Sequence, residues 1–171
     1  MTAASRTPRT AFVAALAIGV LALSSCGLST VSERRKPTIT LDEARKQVDN
    51  YLAEIQAKLS IEPLASSVGD FSDLECNHND VGPHGRKQTS RGYDFGDVPS
   101  ERKVEAAEAF RTLLMGKKGF EMAPDATFDW VKLKNPKDGF VAVLDGVSES
   151  SHNLSLNVST PCVWPKGTPS P

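Results

Sequence analysis

The sequence is short of the features that announce an activity. Its 171 residues hold no Gly-x-Ser-x-Gly elbow, no phosphate-binding glycine loop and no His-Glu-x-x-His pair, and no cysteine is placed as a nucleophile. These absences exclude the commonest hydrolase, nucleotide-binding and zinc-peptidase signatures. No charge of one sign dominates: 20 Lys and Arg stand against 21 Asp and Glu, which gives no electrostatic case for nucleic acid. No apolar run approaches the roughly 20 residues of a bilayer-crossing helix. What is present, 39% hydrophobic and 24% charged residues, is the composition of a globular protein and excludes collagen-like, coiled-coil, polytopic membrane and wholly disordered classes.

The first 26 residues carry the most specific signal. Arg6 and Arg9 form a positive start, Ala11 to Leu23 is an apolar stretch of 13 residues, and Leu23-Ser24-Ser25-Cys26 follows at once. An ordinary secretory leader or an uncleaved signal anchor shares the first two features. The last four residues resemble the lipobox of bacterial lipoproteins, an aliphatic residue and two small ones before a cysteine. The resemblance implies diacylglyceryl transfer to the Cys26 sulfur, cleavage between Ser25 and Cys26, and acylation of the new amino terminus. Small side chains at 24 and 25 let a peptidase approach the backbone beside the modified sulfur. Two or three acyl chains anchor stably where one is marginal, since each buried CH₂ contributes about 0.8 kcal/mol.

These boundaries divide the chain into a signal peptide (1–25), a lipidated Cys26 with a flexible tether (26–39), a globular domain (40–164) and a Pro-rich disordered tail (165–171). Cleavage leaves 146 residues, one domain's worth, with a net charge of −3. The tether is small and charged and spans roughly 20 Å as a coil. Its Arg34, Arg35 and Lys36 either touch anionic headgroups or keep the segment soluble.

Within the domain, Thr40-Leu-Asp-Glu43 is a capping-box pattern, and Leu41, Ala44 or Arg45, Val48, Leu52 with Tyr51, Ile55 and Leu59 recur at helical spacing, predicting a helix over about 41–60. A second helix is expected after Pro99, with Ser100 as N-cap, a stripe of Val104 or Ala106, Ala107, Phe110, Leu113 and Leu114, and a stop at Gly116 or Gly119. Strands are expected at Phe71–Cys76 and Thr89–Phe95. Residues 127–160 read as a three-stranded meander, with Leu154, Leu156 and Val158 alternating with Ser155, Asn157 and Ser159. The order predicts an α+β fold, two amphipathic helices packed on one face of an antiparallel sheet of about five strands.

With Cys26 lipidated, two cysteines remain, and an even number in an exported chain argues for a Cys76–Cys162 disulfide. The rival reading is metal ligation, because Asp73, Glu75, Cys76, His78, Asp80 and His84 lie within 12 residues. Cys-x-His with a second His six residues on is not a usual zinc spacing, and a calcium loop from Asp73 would need Gly and Glu where His78 and His84 stand, so an ordinary polar loop is expected. Ser151 and His152 are adjacent, but a hydroxyl and an imidazole used together normally meet through the fold.

The lipobox cysteine, charged tether, helix, and compact domain with two cysteines ending in Thr160-Pro161-Cys162 are together similar to the small lipoproteins of actinobacteria, including the LppA-like group. That resemblance implies a location and a class but no catalytic residue. The expected function is a membrane-anchored lipoprotein on the extracytoplasmic face of the cell membrane, non-enzymatic and without a cofactor. It would display a domain that meets an envelope protein or glycan through an exposed sheet face or the loop from Asn77 to Arg91, with Tyr93, Phe95 and Trp130 as candidate contacts. The alternatives are a carrier with an apolar cavity between helices and sheet, and an envelope enzyme with an unsigned site.

Overall fold

The structure, a computed structural model, describes residues 36–64, 71–76, 85–127 and 129–169. The expected signal peptide, Cys26 and the tether up to residue 35 lie outside the described residues, as do residues 65–70, the loop 77–84, Phe128 and the last two residues.

The capping box forms: the Thr40 hydroxyl accepts from the Glu43 N–H at 3.2 Å, and Glu43 accepts from the Thr40 N–H at 2.8 Å. It opens α1 (Leu41–Leu59), whose six expected apolar positions are all buried. After the strands β1 (Ser72–Glu75) and β2 (Lys87–Gly96) comes α2 (Ser100–Lys118), followed by β3 (Glu121–Met122), β4 (Trp130–Lys134), β5 (Val141–Asp145) and β6 (Leu154–Ser159). The six strands form one antiparallel sheet in the order β1-β2-β6-β5-β4-β3. The fold is therefore the expected α+β arrangement with one strand more: β3 is two residues long, too short to show alternation, and is placed by its pairing with Lys134 and Leu133 once α2 has stopped at Gly119 (φ 71°).

Helix α2 departs from its expected stripe in one respect. Val104 is 46% exposed, while Lys103 is buried beside Ala106, Ala107 and Phe110. The lysine is drawn inward because its ammonium donates to the Ser151 carbonyl of the β5–β6 loop. Nor does Ser100 act as the cap: it is the first helical residue, after Pro99, and no side chain caps that end.

Between the layers lies a continuous core in which Val48, Leu52, Ile55, Phe110, Leu114, Leu133, Phe140 and Leu144 are all fully buried. Burying one such side chain contributes about 1.5–3 kcal/mol. Tyr51 sits edge-on to Phe120 at 5.4 Å and beside Phe140 at 5.5 Å.

The two ends of the domain are tied together beyond the expected limits of 40 and 164. Trp164 is buried; its indole donates to the Lys36 carbonyl at 3.1 Å and its N–H to the Thr38 hydroxyl at 2.8 Å. Thr38 in turn donates its N–H to the Gly167 carbonyl at 2.8 Å, and Leu41 to that of Pro165 at 3.3 Å. Residues 36–39, expected in the tether, and 165–167, expected in the tail, thus belong to the folded body, because burying the large indole carries its neighbours in with it. Nearby, Cys76 and Cys162 are disulfide-bonded with a Cα separation of 6.0 Å. Lys87 and Val163 exchange backbone hydrogen bonds at 2.8 Å in both directions.

Strands β2 and β6 approach closely at Gly92, where a Cβ would lie 2.3 Å from the Leu156 carbonyl oxygen, a backbone atom that cannot swing away. Gly116 in α2 has nothing within 4 Å of the same position. Gly92→Ala is therefore expected to lower stability by about 1–3 kcal/mol and Gly116→Ala to raise it by about 0.5–1 kcal/mol, both read from urea unfolding. Loss of the disulfide in the Cys76→Ser, Cys162→Ser double variant should cost about 4 kcal/mol, since it closes a loop of 86 residues.

Candidate binding surface

Residues on a strand alternate between faces, so the register fixes what the sheet presents on the side away from the helices. One row across the sheet runs Ser72, Ser90, Ser159, Val141, Lys134, Glu121. The next runs Gly92, Asn157, Val143, Lys132, and the third Asp94, Ser155, Asp145, Trp130. All of these side chains are exposed or half-buried, whereas the alternate positions Thr89, Leu133, Ala142, Leu156 and Val158 are buried against the helices. The result is an open face of hydroxyl, amide, carboxylate and ammonium groups with two valines among them, spaced about 4.8 Å across strands and roughly 6.6 Å along them. It carries one indole: the Lys132 ammonium lies 4.8 Å from the Trp130 ring, which it holds against the sheet.

The three aromatic candidates separate accordingly. Trp130 is on the open face. Tyr93 and Phe95 are on the helix side, Tyr93 half-buried against the core and Phe95 buried, so neither lies on the open face. Their shared parity was readable in the sequence; which side it faced was set by β2 pairing with β6. Of the loop from Asn77 to Arg91, residues 77–84 lie outside the described residues. Its last residue, Arg91, faces α1, pairing with Asp49 at 2.7 Å and stacking on Phe71 at 5.3 Å. Arg45 covers Phe71 at 5.5 Å and holds Asp73 at 2.5 Å.

That last pair bears on the metal reading. Asp73 is committed to Arg45 and the Cys76 sulfur to Cys162, so neither is offered to an ion; His78, Asp80 and His84 lie outside the described residues. Four clefts among the described residues, of about 270 to 480 Å³, are open to solvent. Two of them share Gln47 and Asp138 and run along α1 toward Cys162, with Tyr51 and Asn50 on their walls. Burial, and then the Asp138 charge, push the Tyr51 hydroxyl above its ordinary range.

A polar cluster that the sequence did not single out joins three elements at the opposite end of the sheet. The Asp129 carboxylate accepts from the Ser148 N–H at 2.7 Å and from the Ser151 hydroxyl at 2.9 Å and 3.0 Å, and the Ser148 hydroxyl lies 3.0 Å from that of Ser151. The Asp129 carbonyl accepts the N–H groups of Gly146 and Val147. The Ser148 N–H first, then the two hydroxyls and the Lys103 charge, hold the Asp129 carboxyl below the ordinary aspartate range against the opposing effect of burial. This is the arrangement of a loop clamp: the carboxylate is stabilised as an acceptor, which makes it a poor base, and the Ser151 hydroxyl is turned to it. His152 is exposed. The available signal was Lys103 falling at an inward position of the α2 stripe.

No family model, curated protein or solved structure matches this chain.

Because the folded-state pKa of Asp129 is depressed, its contribution to stability is complete above the ordinary aspartate value of about 3.9 and is lost as pH falls from there through the lower folded value. Asp129→Asn should therefore reduce stability at neutral pH and flatten the decline of stability below about pH 4. Urea unfolding across that interval reads both effects, and an unchanged slope would remove Asp129 from the clamp.

Proposed function

We propose that the chain is an exported bacterial lipoprotein, held on the extracytoplasmic face of the cell membrane by acyl groups on Cys26, and that it displays a non-enzymatic binding domain whose open sheet face contacts a polar envelope glycan or protein. The observation that carries this reading is the disulfide. Of three cysteines, Cys76 and Cys162 are bonded to each other, and such a bond persists in an oxidising compartment. Cys26 is left alone behind a positive start, a short apolar run and two small residues, the pattern that resembles a lipobox and that the actinobacterial lipoproteins share. Among the described residues no helix is long and apolar enough to cross a membrane.

Surface binding is favoured over the carrier reading because side chains fill the space between helices and sheet, and the clefts found open outward. It is favoured over the enzyme reading because the polar cluster at Asp129 serves as a clamp.

Two measurements test the proposal. Metabolic labelling with an alkyne fatty acid should mark the wild-type protein in the membrane fraction, while Cys26→Ser should be unlabelled and leave that fraction; an unlabelled wild type would contradict the anchor. For the binding face, a photo-crosslinking residue at Asn157 should give adducts in the native host, whereas one at Glu108 on the outer side of α2 should not. The reverse pattern would move the contact surface to the helices.

A further inference from the structure

The antiparallel strands run between two ends of the sheet, and the connections sort charged residues by end. At one end lie the start of α1, the Glu75–Lys87 pair, the end of α2, the β4–β5 turn and the segment after β6; the disulfide joins that last segment to the end of β1, and Trp164 joins it to Lys36 and Thr38. At the other lie the end of α1, where Leu64 donates to the Asp94 carbonyl and Arg102 reaches the Ser60 carbonyl, the start of α2, and the β5–β6 loop clamped by Asp129.

The two ends differ in sign. Among the described residues of the first (36–43, 71–76, 85–87, 115–121, 134–141 and 159–169), 8 are basic and 6 acidic; among those of the second (57–64, 94–103, 129–130 and 145–154), 3 are basic and 7 acidic. Three of the acids at the basic end are engaged, Glu43 in the Thr40 cap, Asp73 with Arg45 and Asp138 with Tyr51 and Asn135, and one of the bases, Lys118, pairs with Glu54 at 2.6 Å. Lys117, Lys134, Lys137 and Lys166 are exposed there, as Asp97, Glu101, Asp145 and Glu149 are at the other end.

The chain leaves for Cys26 from the basic end. The ten residue steps from Cys26 to Lys36 contain Arg34 and Arg35 and no acid other than Glu33. Ten residue steps reach at most about 36 Å, which bounds how far Lys36 can stand from an anchor at Cys26. The acidic end stands at least a strand length, about 15 Å, farther away.

We propose that this polarity docks the basic end on an anionic phospholipid surface and points the acidic end away from it, so that the sheet stands upright with its open face turned sideways. Attraction at one end and repulsion at the other favour the same orientation. A face so placed is accessible to a polymer running alongside the membrane. The inference rests on the membrane-anchored reading, but its test does not require natural lipidation.

In the mature chain beginning at Cys26, the disulfide leaves that thiol as the one free for coupling to a maleimide lipid. Vesicles of phosphatidylcholine containing phosphatidylglycerol and a headgroup-labelled acceptor are the probe, with a donor fluorophore introduced through a non-natural residue at Gly116, at the basic end, or at His152, at the acidic end. Transfer from 116 should exceed that from 152 by about twofold or more. The excess should shrink in pure phosphatidylcholine and at high salt, and in the Lys137→Glu, Lys166→Glu variant, whose exposed substitutions should leave the melting temperature unchanged. Equal transfer from the two positions would overturn the proposal. So would a difference indifferent to salt and lipid charge, which would assign the orientation to the tether alone. Fatty-acid labelling of Cys26 in the host reports separately on the anchor.

Discussion

The pairing of β2 with β6 is the join on which the architecture depends. Without it the sheet order falls into two pieces, β1 with β2 and the run β6-β5-β4-β3, each with an uncovered edge. The pairing is non-local, and its closeness rests on a residue with no side chain at 92, where backbone stands against backbone. The fold reinforces it at the tether end by covalent and packing means: a disulfide across the first and last strands, a backbone exchange between Lys87 and Val163, and an indole that draws both chain ends onto the body. At the far end it is balanced by the Asp129 clamp, which holds the β5–β6 loop to β4 and to α2.

What was legible in the sequence was local. Helix α1 announces itself through Thr40, Glu43 and a six-member apolar stripe, and β6 through strict alternation from Leu154 to Val158, because these signals need no partner to be read. The disulfide was legible from cysteine parity and the presumed route of the chain. What escaped depended on meetings between distant segments. Lys103 took an inward place from Val104 because a carbonyl in a loop 48 residues on was there to receive it. Gly167 falls in the expected tail and Thr38 in the expected tether, since nothing in either neighbourhood reveals that they meet each other and Trp164. Of the three aromatic contacts considered, only Trp130 reached the open face, a matter of which side β2 turned on joining β6.

The proposed contact surface follows from the same asymmetry. Helices cover one side of the central strands β2, β6, β5 and β4, and the other side keeps serines, an asparagine and aspartates in cross-strand rows. The acids at the β1 edge, Asp73 and Glu75, discourage indiscriminate strand addition, leaving the broad face as the place for contact. Such a face without net apolar character suits a polar partner met at high local concentration, which the proposed lipid anchor would supply by confining the domain to a surface. On this account the chain spends its first 26 residues on location, its cysteines on durability outside the cell, and its open strands on recognition.

The most direct measurement is mass analysis of the N-terminal peptide of the protein purified from its native host. The account predicts a peptide that begins at Cys26 and carries the mass of a diacylglyceryl group and an N-linked acyl chain. A peptide that begins at Met1, or at Cys26 with an unmodified sulfur, would contradict it.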